Sequence, residues 1–319
     1  MKLIVSHLES LRTYVSREFY YVMSELISTY GWKQIEIGNL WNGSESLRAK
    51  LLERYGELPE TILFWEAYEF LQAHVTAVDH LDCHKVFFAD DLHWRDEQVR
   101  KMKMMCFARC DTIFATGANV WADFYPEFCT TKEIIWVPHS ASPDFTIGYN
   151  EEPENSIFLS GAMTHHYPLR LQMKKLHEQG SHSIAYHGHP GYCCGYDYDE
   201  NKNIGRGYAE RINRYRAGFT DSLIYGYVIA KYFEIPATGA LLFADDAVSE
   251  PLKELGFIPD KHYLPVSKED LEEKVRYVLD DKNHEAVDEI RRRGQQLVWE
   301  KHKTSDRARQ MNEAVSQPV

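Results

Sequence analysis

The sequence predicts an α/β protein with two doubly wound parallel sheets. Short runs of β-branched residues alternate with longer segments of helical period along almost all of the 319 residues, and this alternation is typical of parallel sheets covered by helices. A chain of this length can bury more core than one domain usually holds. An acidic, proline-containing stretch at residues 148–155 interrupts the alternation, as linkers between domains commonly do.

We therefore expect two Rossmann-like domains, at residues 1–148 and 149–285, followed by charged C-terminal helices at residues 286–319. In the first domain the predicted strands are residues 3–5, 34–37, 61–64, 85–88, 112–115 and 134–137. In the second domain they are residues 157–160, 183–186 and 240–244, followed by the segment at residues 262–266. A helix is predicted near residues 208–215, between the second and third of these strands.

Apolar spacing and capping residues predict several helices directly. The first helix has apolar residues at intervals of three and four: Leu11, Val15, Phe19, Val22 and Leu26. Gly31 stands where its left-handed C-cap is expected. Pro168 and Gly180 are placed to begin and end another helix. Ser267 and Asp270 form a predicted capping box at the start of a third.

Charge and hydropathy exclude several classes of protein. The chain has 36 Lys plus Arg and 48 Asp plus Glu, a net charge of −12, whereas proteins that bind nucleic acids or anionic membranes normally show a basic stripe. No apolar run approaches the roughly 18 residues of a membrane span, and the start turns polar too soon for a signal peptide. We expect a cytoplasmic protein with no nucleic-acid partner, no integral membrane segment and reduced cysteines.

The motifs of three common classes of α/β enzyme are missing. The first predicted strand leads into residues 7–11 without the glycines that let a dinucleotide approach a helix N-terminus. The sequence also has no Walker phosphate loop and no Gly-x-Ser-x-Gly nucleophile elbow. These absences argue against nicotinamide-dependent dehydrogenases, P-loop NTPases and serine hydrolases.

The segment at residues 222–243 carries the most information about function. A helix bearing Glu234 is predicted to run into Gly239 and then into an apolar strand. The residues around Glu234 are apolar or small, and a carboxylate held there could accept hydrogen bonds from both hydroxyls of a ribose. Pro236 should loosen the helix after Glu234, because proline cannot donate the next helical hydrogen bond.

The start of this predicted helix is a candidate diphosphate site. We expect the helix to begin near residues 222–227, where its free N–H groups and positive dipole end could hold a diphosphate. Gly226, between Tyr225 and Tyr227, would let the phosphates come close. The sequence therefore predicts a nucleotide that lies along one helix, with its phosphates at the start and its ribose at Glu234.

Residues 231–240, Lys-Tyr-Phe-Glu-Ile-Pro-Ala-Thr-Gly-Ala, resemble the Lys-x-Phe-Glu-x-x-Ala-x-Gly pattern of the CgeB-like branch of group 1 glycosyltransferases, named for a spore maturation protein. The segments at 255–257, 262–266 and 271–279 resemble those that follow it in that branch. The resemblance spans most of the second half of the chain. In its commonest form the family has a second glutamate eight positions earlier, where this chain has Gly226.

The resemblance implies a GT-B fold, in which two Rossmann-like domains face a cleft and a C-terminal helix crosses back to the first domain. The N-terminal domain would hold the acceptor and the C-terminal domain the nucleotide-sugar donor. It further implies that Glu234 binds the donor ribose, and the pattern places Lys231 and Gly239 at the same site.

Further donor-site candidates follow two predicted strands. The segment from Gly161 to Arg170 resembles the family's first loop in the donor domain. Gly161 could pass close to a phosphate, and Arg170 or Lys231 could offset the charge on the departing nucleotide. Alternatively, Gly161 simply turns the chain and Arg170 is a surface charge. His187 begins a loop that could cover the nucleotide.

The acceptor candidates end two strands of the first domain. Asp90, Asp91, His93 and Trp94 follow a predicted strand, at the edge where open α/β sheets bind ligands, and they resemble the Asp-Asp-x-His-Trp segment of related glycosyltransferases. Asp91 or His93 could act as a base toward an acceptor hydroxyl, with Trp94 as a stacking face. Alternatively, one aspartate caps the next helix and His93 packs beneath it. His139, after the next strand, is a further acceptor-binding candidate.

Two short patterns could suggest a metal, but we predict none. His187-Gly-His189 could supply paired imidazoles, and Asp197-Tyr-Asp199 matches the Asp-x-Asp that binds a metal-nucleotide complex in GT-A glycosyltransferases. A loop over the nucleotide explains the first pattern better, and a solvated loop explains the second. Glycosyltransferases of GT-B fold generally need no bound metal.

The sequence thus predicts a glycosyltransferase that moves a hexosyl or pentosyl group from a nucleotide diphosphate sugar, a UDP- or GDP-sugar, to a hydroxyl of a glycan or another acceptor. No cofactor or metal is expected. Two alternatives remain open: a non-catalytic protein that binds carbohydrate or nucleotide on the same scaffold, and a sugar-nucleotide epimerase of GT-B type.

Overall fold

The computed structural model describes residues 1–37, 46–180 and 182–316. The chain divides into two compact units. Unit 1 is built from Met1–Arg12, Val22–Pro138 and the C-terminal residues from Arg307 onward, and unit 2 from Thr13–Tyr21 and His139–Asp306. A short N-terminal segment therefore belongs to the unit that otherwise begins after residue 138.

Unit 1 contains a six-stranded parallel sheet among its described residues. Its strands are β1 (Lys2–Ser6), β2 (Lys33–Glu36), β3 (Thr61–Trp65), β4 (His84–Ala89), β5 (Thr112–Ala115) and β6 (Glu133–Trp136). They lie in the order β2-β1-β3-β4-β5-β6, and each agrees with a predicted strand. The order reverses between β1 and β3, and at such a switch point the loops after the two strands part and leave room for a ligand.

The helices of the first 138 residues are α1 (Leu8–Arg12), α2 (Glu18–Ser28), α3 (Leu47–Tyr55), α4 (Tyr68–Ala73), α5 (Val75–Asp79), α6 (Glu97–Ala108) and α7 (Trp121–Phe124). Local chemistry sets several of their ends. Asp96 caps α6 by accepting the N–H groups of Gln98 and Val99, both at 3.0 Å. This aspartate, and not Asp90 or Asp91, is the N-cap of α6.

The single helix predicted from Leu11 to Leu26 is wrong, because residues 13–17 leave the helical conformation between α1 and α2. Thr13, Val15 and Ser16 are weak helix formers. The segment instead makes tertiary hydrogen bonds within unit 2, such as that from the Tyr196 N–H to the Thr13 carbonyl at 3.0 Å. The apolar residues thus keep their helical spacing across residues 13–17, although tertiary contacts break the helix there.

Unit 2 contains a five-stranded parallel sheet in the described ranges. Its strands are β7 (Glu154–Ser160), β8 (Ile184–His187), β9 (Tyr215–Phe219), β10 (Leu241–Asp245) and β11 (Leu264–Val266), in the order β11-β10-β9-β7-β8. The switch point lies between β7 and β9. Side chains from the sheet and its covering helices form a core that includes Phe219, Phe243 and Val275.

The central strand β9 is absent from the prediction, which places a helix at residues 208–215. The helix ends earlier, at Asn213, and the strand begins at Tyr215. Arg216 and Gly218 hide the strand, since neither residue is typical of a buried strand. Gly218 is needed there, because a Cβ atom would lie 2.9 Å from the Ile235 side chain.

The remaining helices are α8 (Pro168–Gln179), α9 (Gly205–Asn213), α10 (Lys231–Ala237), α11 (Ser249–Glu254), α12 (Leu271–Leu279), α13 (His284–Lys301) and α14 (Thr304–Ala314). The structure confirms α8 with its left-handed C-cap at Gly180. It also confirms the capping box, in which Ser267 N–H donates to Asp270 at 2.7 Å and Asp270 N–H donates to Ser267 Oγ at 3.3 Å. In these ranges no helix is long and apolar enough to cross a membrane.

Candidate functional site

The switch point of unit 2 brings a glycine, an arginine and a lysine together. Gly161 directly follows β7, with a φ of +110°, in a region that favours glycine. A Cβ atom at this position would lie 2.6 Å from Nη1 of Arg170 and 3.4 Å from Cε of Lys231. The backbone at Gly161 and two cationic side chains from α8 and α10 therefore converge at the carboxyl edge of the sheet.

Arg170 is buried, with 1% of its surface exposed, and so is not a surface charge. Its guanidinium donates to the Ala162 carbonyl at 3.0 Å and to Thr220 Oγ1 at 3.3 Å, lies 3.4 Å from the Asp221 carboxylate and stacks on the Tyr167 ring. Burial raises the pKa of Asp221 to about 6, although Arg170 opposes the rise. The positive charge is thus held in place beneath the loop that carries Gly161.

Lys231, at the start of α10, donates a hydrogen bond to the Tyr208 hydroxyl. Burial disfavours the ammonium, but Tyr208 and Glu234 favour it, and the pKa of Lys231 is raised overall. Glu234 lies one turn further along α10 and is 7% exposed. Among the described residues its carboxylate has no hydrogen-bond partner.

The pKa of the Glu234 carboxyl is raised, first by burial and then by the negative charges of Glu18 and Asp144, while Lys231 and His139 lower it. These neighbours are themselves organised. Glu18 accepts hydrogen bonds from His139 Nδ1 at 2.8 Å and from the Ser140 hydroxyl at 2.8 Å. Glu234, the candidate ligand of the donor ribose, is therefore surrounded by both acidic and basic groups.

The segment Thr13–Tyr21 holds Asp144, one of the acidic neighbours of Glu234, in place. Arg17 forms a bidentate pair with Asp144, at 3.1 and 2.6 Å, and its guanidinium lies 3.7 Å from the centre of the Tyr198 ring. Tyr198 donates a hydrogen bond to the Tyr14 carbonyl. The segment thus anchors the long loop that follows β8.

The two histidines of the loop after β8 have different surroundings. His187 stacks on Phe158 with ring centres 5.0 Å apart and lies within hydrogen-bond distance of the Tyr215 hydroxyl, at 3.2 Å. Burial and two arginines of the α9 end, Arg211 and Arg214, lower its pKa. For His189 the charged neighbours are instead the two cations at Gly161, namely Lys231 and Arg170. A nucleotide role for His187 stays a prediction.

The expected helix start at residues 222–227 is wrong. This segment is a loop, and α10 begins only at Lys231. Tyr225, Gly226 and Tyr227 therefore do not offer a helix N-terminus. They form a turn, in which Tyr227 N–H donates to the Ser222 carbonyl at 2.8 Å, and they remain at the carboxyl edge of the sheet, after β9. Pro236 does not end the helix, which continues to Ala237.

Gly239 is not brought to this site. It follows the C-terminus of α10 and lies two residues before β10 begins, and so lies at the opposite edge of the sheet from Gly161. Its carbonyl accepts a hydrogen bond from Arg291 Nε at 2.9 Å. A Cβ atom would lie 3.0 Å from Tyr149. The glycine therefore serves close packing between α10, α13 and the linker.

A second polar cluster lies at the carboxyl edge of the sheet of unit 1. Glu66 follows β3, next to the switch point, and has a φ of +49°, rare for a residue with a side chain. Its carboxylate accepts the Asp90 N–H at 3.0 Å, and Thr116 donates to the Asp90 carboxylate at 2.8 Å. Desolvation and the Asp90 charge raise the pKa of Glu66 to about 7, although its side chain still reaches the surface.

The predicted base candidates belong to this cluster. Asp91 is exposed, and its carboxylate lies 3.8 Å from His93 Nδ1. Beneath them Lys103 is 7% exposed and donates hydrogen bonds to the carbonyls of Asp91 and His93. Trp94 is half-buried, with the Arg100 guanidinium 5.2 Å from its ring centre.

His139 is placed differently from the prediction, which assigns it to the acceptor domain. It belongs to unit 2, bonded to Glu18 and stacked on Phe19 with ring centres 5.7 Å apart. It therefore joins the surroundings of Glu234. The strand before it ends at Trp136, and the chain passes to unit 2 directly afterwards.

Sequence reasoning missed several residues of both clusters: Arg17, Glu18, Asp144 and Tyr208 in unit 2, and Glu66, Lys103 and Thr116 in unit 1. Glu66 and Thr116 could have been found, because each lies within two residues of the end of a predicted strand, at the edge where ligands bind. Arg17 and Glu18 gave no such signal, since they lay inside an apolar period that predicted an ordinary helix. In the described ranges, no three His, Cys, Asp or Glu residues are grouped so as to hold a metal ion.

Comparison with known proteins bears on both fold and family. Residues 171–313 match the family model described as "Glycosyl transferase-like". No curated protein sequence matches the chain. This family match covers α9, α10 and the strands on either side, and includes Lys231 and Glu234. It supports the resemblance to glycosyltransferases, whereas the CgeB-like branch stays a prediction.

Solved structures resemble the chain over its whole length. Sucrose-phosphate synthase from Thermosynechococcus elongatus has a TM-score of 0.65 and 12% identity, over 99% of this chain and 98% of that one. The Anabaena protein HepE, in complex with UDP and glucose, has a TM-score of 0.61 and 11% identity, over 100% of both chains. An alpha-glucosyltransferase in complex with UDP-glucose and DNA has a TM-score of 0.62 and 13% identity, over 99% of both chains. The α/β fold is therefore the GT-B fold of glycosyltransferases, as predicted.

Proposed function

We propose that the protein is a glycosyltransferase of the CgeB-like branch that takes a sugar from a UDP- or GDP-sugar bound by unit 2. One observation carries this proposal: at the switch point of unit 2, two cationic side chains converge beside Gly161, and the buried carboxylate of Glu234 lies one helical turn from Lys231. A nucleotide diphosphate sugar offers matching groups, a diphosphate for the cations and a ribose diol for the carboxylate.

Each residue of unit 2 has a distinct role in this proposal. The backbone at Gly161 approaches the diphosphate, and Lys231 donates to it. Arg170 adds positive charge from below, since its two terminal nitrogens already donate to the Ala162 carbonyl and the Thr220 hydroxyl. Glu234 accepts hydrogen bonds from the ribose hydroxyls, and the loop that holds Tyr225, Gly226 and Tyr227 lies at the same edge. UDP-glucose and UDP, which two of the structural neighbours hold in their complexes, are of this chemical class.

In the proposed reaction an acceptor hydroxyl attacks the anomeric carbon of the donor. A carbon–oxygen bond forms to the acceptor, the bond to the diphosphate breaks, and the diphosphate leaves with the electron pair. The fixed positive charges of Arg170 and Lys231 stabilise that developing charge without a bound metal. The hydroxyl proton goes to a base, for which Asp91 and His93 of unit 1 are the candidates, with Trp94 as a face for a sugar acceptor.

The test is binding and turnover of UDP-glucose and GDP-glucose by the purified protein in the presence of EDTA. Wild type is expected to bind one of them and to release its sugar slowly to water. Glu234→Gln should weaken binding by at least about tenfold, because one of the two acceptor oxygens becomes a donor and the other loses its negative charge. Glu210→Gln, on the exposed face of α9, is the matched control and should bind like wild type.

The outcomes separate the three classes of function. Sugar release that rises when an acceptor is added supports transfer. Conversion of the donor without an acceptor indicates an epimerase, and binding without any turnover indicates a binding protein. Binding that Glu234→Gln leaves unchanged would contradict the assignment of the donor site.

A further inference from the structure

The loop that follows β8 carries a histidine that the proposed function has not used. β7 and β8 are neighbouring parallel strands, with Ser160 paired to His187. Gly161 and His189 therefore follow the ends of adjacent strands, whose backbones are about 4.8 Å apart. His189 thus lies at the edge of the sheet where the cations of the proposed diphosphate site converge.

Its neighbours fix which ring nitrogen carries the proton. The Gly191 N–H donates a hydrogen bond to Nδ1 of His189 at 2.9 Å. Nδ1 is then an acceptor, and the proton of the neutral ring is on Nε2. Tyr192 packs against the imidazole with ring centres 4.3 Å apart. The ring is therefore held in one orientation and offers Nε2–H as a donor, with no hydrogen-bond partner among the described residues.

The charged groups that face His189 from other elements are Lys231 on α10 and Arg170 on α8. Burial, followed by these two cations, lowers the pKa of His189 to about 4. In its own loop, Tyr196 donates to the Pro190 carbonyl at 2.8 Å, and a hydrogen bond with Cys193 raises the pKa of Tyr196, so that this hydroxyl is neutral near pH 7. Without a ligand the imidazole is therefore neutral, because burial and the surrounding positive charge both disfavour its protonated form.

We propose that His189 is a diphosphate ligand that takes up a proton when the donor binds. This inference rests on the proposed function, since it assumes that a nucleotide diphosphate occupies the site. Nε2–H donates to a phosphate oxygen, and the negative charge of the diphosphate cancels the field that kept the ring neutral. The second proton comes from solvent and goes to Nδ1, so the hydrogen bond from Gly191 is given up.

The sign of the pH dependence follows directly. An anion within about 4–6 Å raises the pKa of an imidazole by about 1–3 units, so that the bound value exceeds the unbound value of about 4. Between these two values binding consumes protons. The affinity for the donor therefore falls as the pH rises through the bound pKa, and becomes independent of pH above it.

The test is isothermal titration calorimetry at about pH 5.5, in two buffers of different ionisation enthalpy. The probe is UDP-glucose or GDP-glucose, whichever binds the wild type, because their diester phosphates keep a constant charge in this range. For a rise of about 2 units in the pKa of His189, wild type should take up about 0.7 of a proton and should lose roughly fourfold in affinity by about pH 7.5. His189→Gln should bind with almost no proton uptake and little pH dependence. His182→Gln, whose imidazole lies 3.4 Å from the Glu272 carboxylate away from the site, should behave like wild type.

Each outcome decides the inference. Nucleotide binding by the wild type without proton uptake overturns it and leaves the proposed function standing. Loss of uptake in His187→Gln but not in His189→Gln overturns it by giving the role to the other histidine. If neither nucleotide sugar binds the wild type, the proposed function fails and the inference fails with it. A histidine signal in NMR that moves to its protonated position on nucleotide addition, and that His189→Gln removes, is the supporting result.

Discussion

At the residue scale, Gly161 is constrained twice. Its φ of +110° disfavours any residue with a side chain, and a Cβ atom would meet Arg170 at 2.6 Å. That guanidinium is itself held by hydrogen bonds to Ala162 and Thr220, so it cannot easily retreat. The glycine therefore does more than turn the chain.

Gly161→Ala is expected to lower the free energy of unfolding by about 1–3 kcal/mol, because backbone strain and the clash with Arg170 add. Urea denaturation followed by circular dichroism measures the change. Gly148→Ala is the matched control, since nothing lies within 4 Å of a Cβ atom there, and it should be neutral or slightly stabilising. Equal stability of the Gly161 variant and wild type would show that the loop can adjust.

His189 also makes a prediction that needs no ligand. Its pKa is about 4 in the folded protein and about 6.5 in an unfolded chain. As the pH falls through this interval, the unfolded chain binds a proton that the native state does not, so stability is lost. The loss is at most about 1.4 kcal/mol per pH unit, and less because the ring is partly exposed.

His189→Gln should accordingly flatten the fall in unfolding free energy between about pH 6.5 and pH 4.5. Chemical denaturation at several pH values measures the slope, with His182→Gln as the control. A slope that His189→Gln leaves unchanged would mean that this imidazole is not neutral in the folded protein.

At the scale of elements, the break between α1 and α2 matters most. It allows residues 13–17 to contact the loop after β8, through the stacking of Arg17 on Tyr198 and the hydrogen bond from Tyr198 to the Tyr14 carbonyl. This loop lies beside the proposed donor site and contains His189. The non-helical segment therefore holds the loop that carries His189, which a continuous helix could not contact in the same way.

Arg17→Ala is expected to release this loop, because the bidentate pair with Asp144 and the contact with Tyr198 are lost together. Hydrogen exchange of residues 192–204 should become faster, while the strands of unit 2 keep their protection. Arg12→Ala is the control, since its ion pair with Glu9 is exposed and 3.7 Å long. Unchanged exchange in the loop would show that other contacts hold it.

At the scale of the whole molecule, the alternation of strands and helices was enough to predict two doubly wound α/β domains, because most of the strands are rich in apolar residues, and the family resemblance then implied the GT-B fold. The exception is β9, which was not predicted because Arg216 and Gly218 are unusual in a buried strand. Tertiary contacts explain both residues: Arg216 pairs with Asp288, and Gly218 makes room for Ile235. No local pattern encodes such partners.

The candidate site, like the fold, was predicted from the sequence only in part. Lys231, Glu234 and Gly161 follow from the motif and from the rule that ligands bind at the carboxyl ends of strands. Arg17, Glu18 and Asp144 do not, since they come from segments far apart in the chain that only the folded structure joins. Gly239 shows the opposite error, because a residue in a functional motif serves packing at the other edge of the sheet.

Net charge makes a prediction about the acceptor at this scale. One structural neighbour is described in complex with DNA, but this chain has a net charge of −12. We expect no measurable binding of a short DNA duplex near physiological salt, because too few phosphates would be neutralised. Fluorescence anisotropy tests this, and salt-dependent binding would show a basic surface that the net charge hides.

The most direct test of the central claim is a crystal structure of the protein with its nucleotide sugar bound, UDP-glucose or GDP-glucose. The account predicts that the diphosphate lies against the backbone of Gly161, within hydrogen-bond distance of Lys231 and His189, and that the ribose hydroxyls donate to Glu234. A nucleotide bound elsewhere on the chain, with Glu234 still unpartnered, would contradict it.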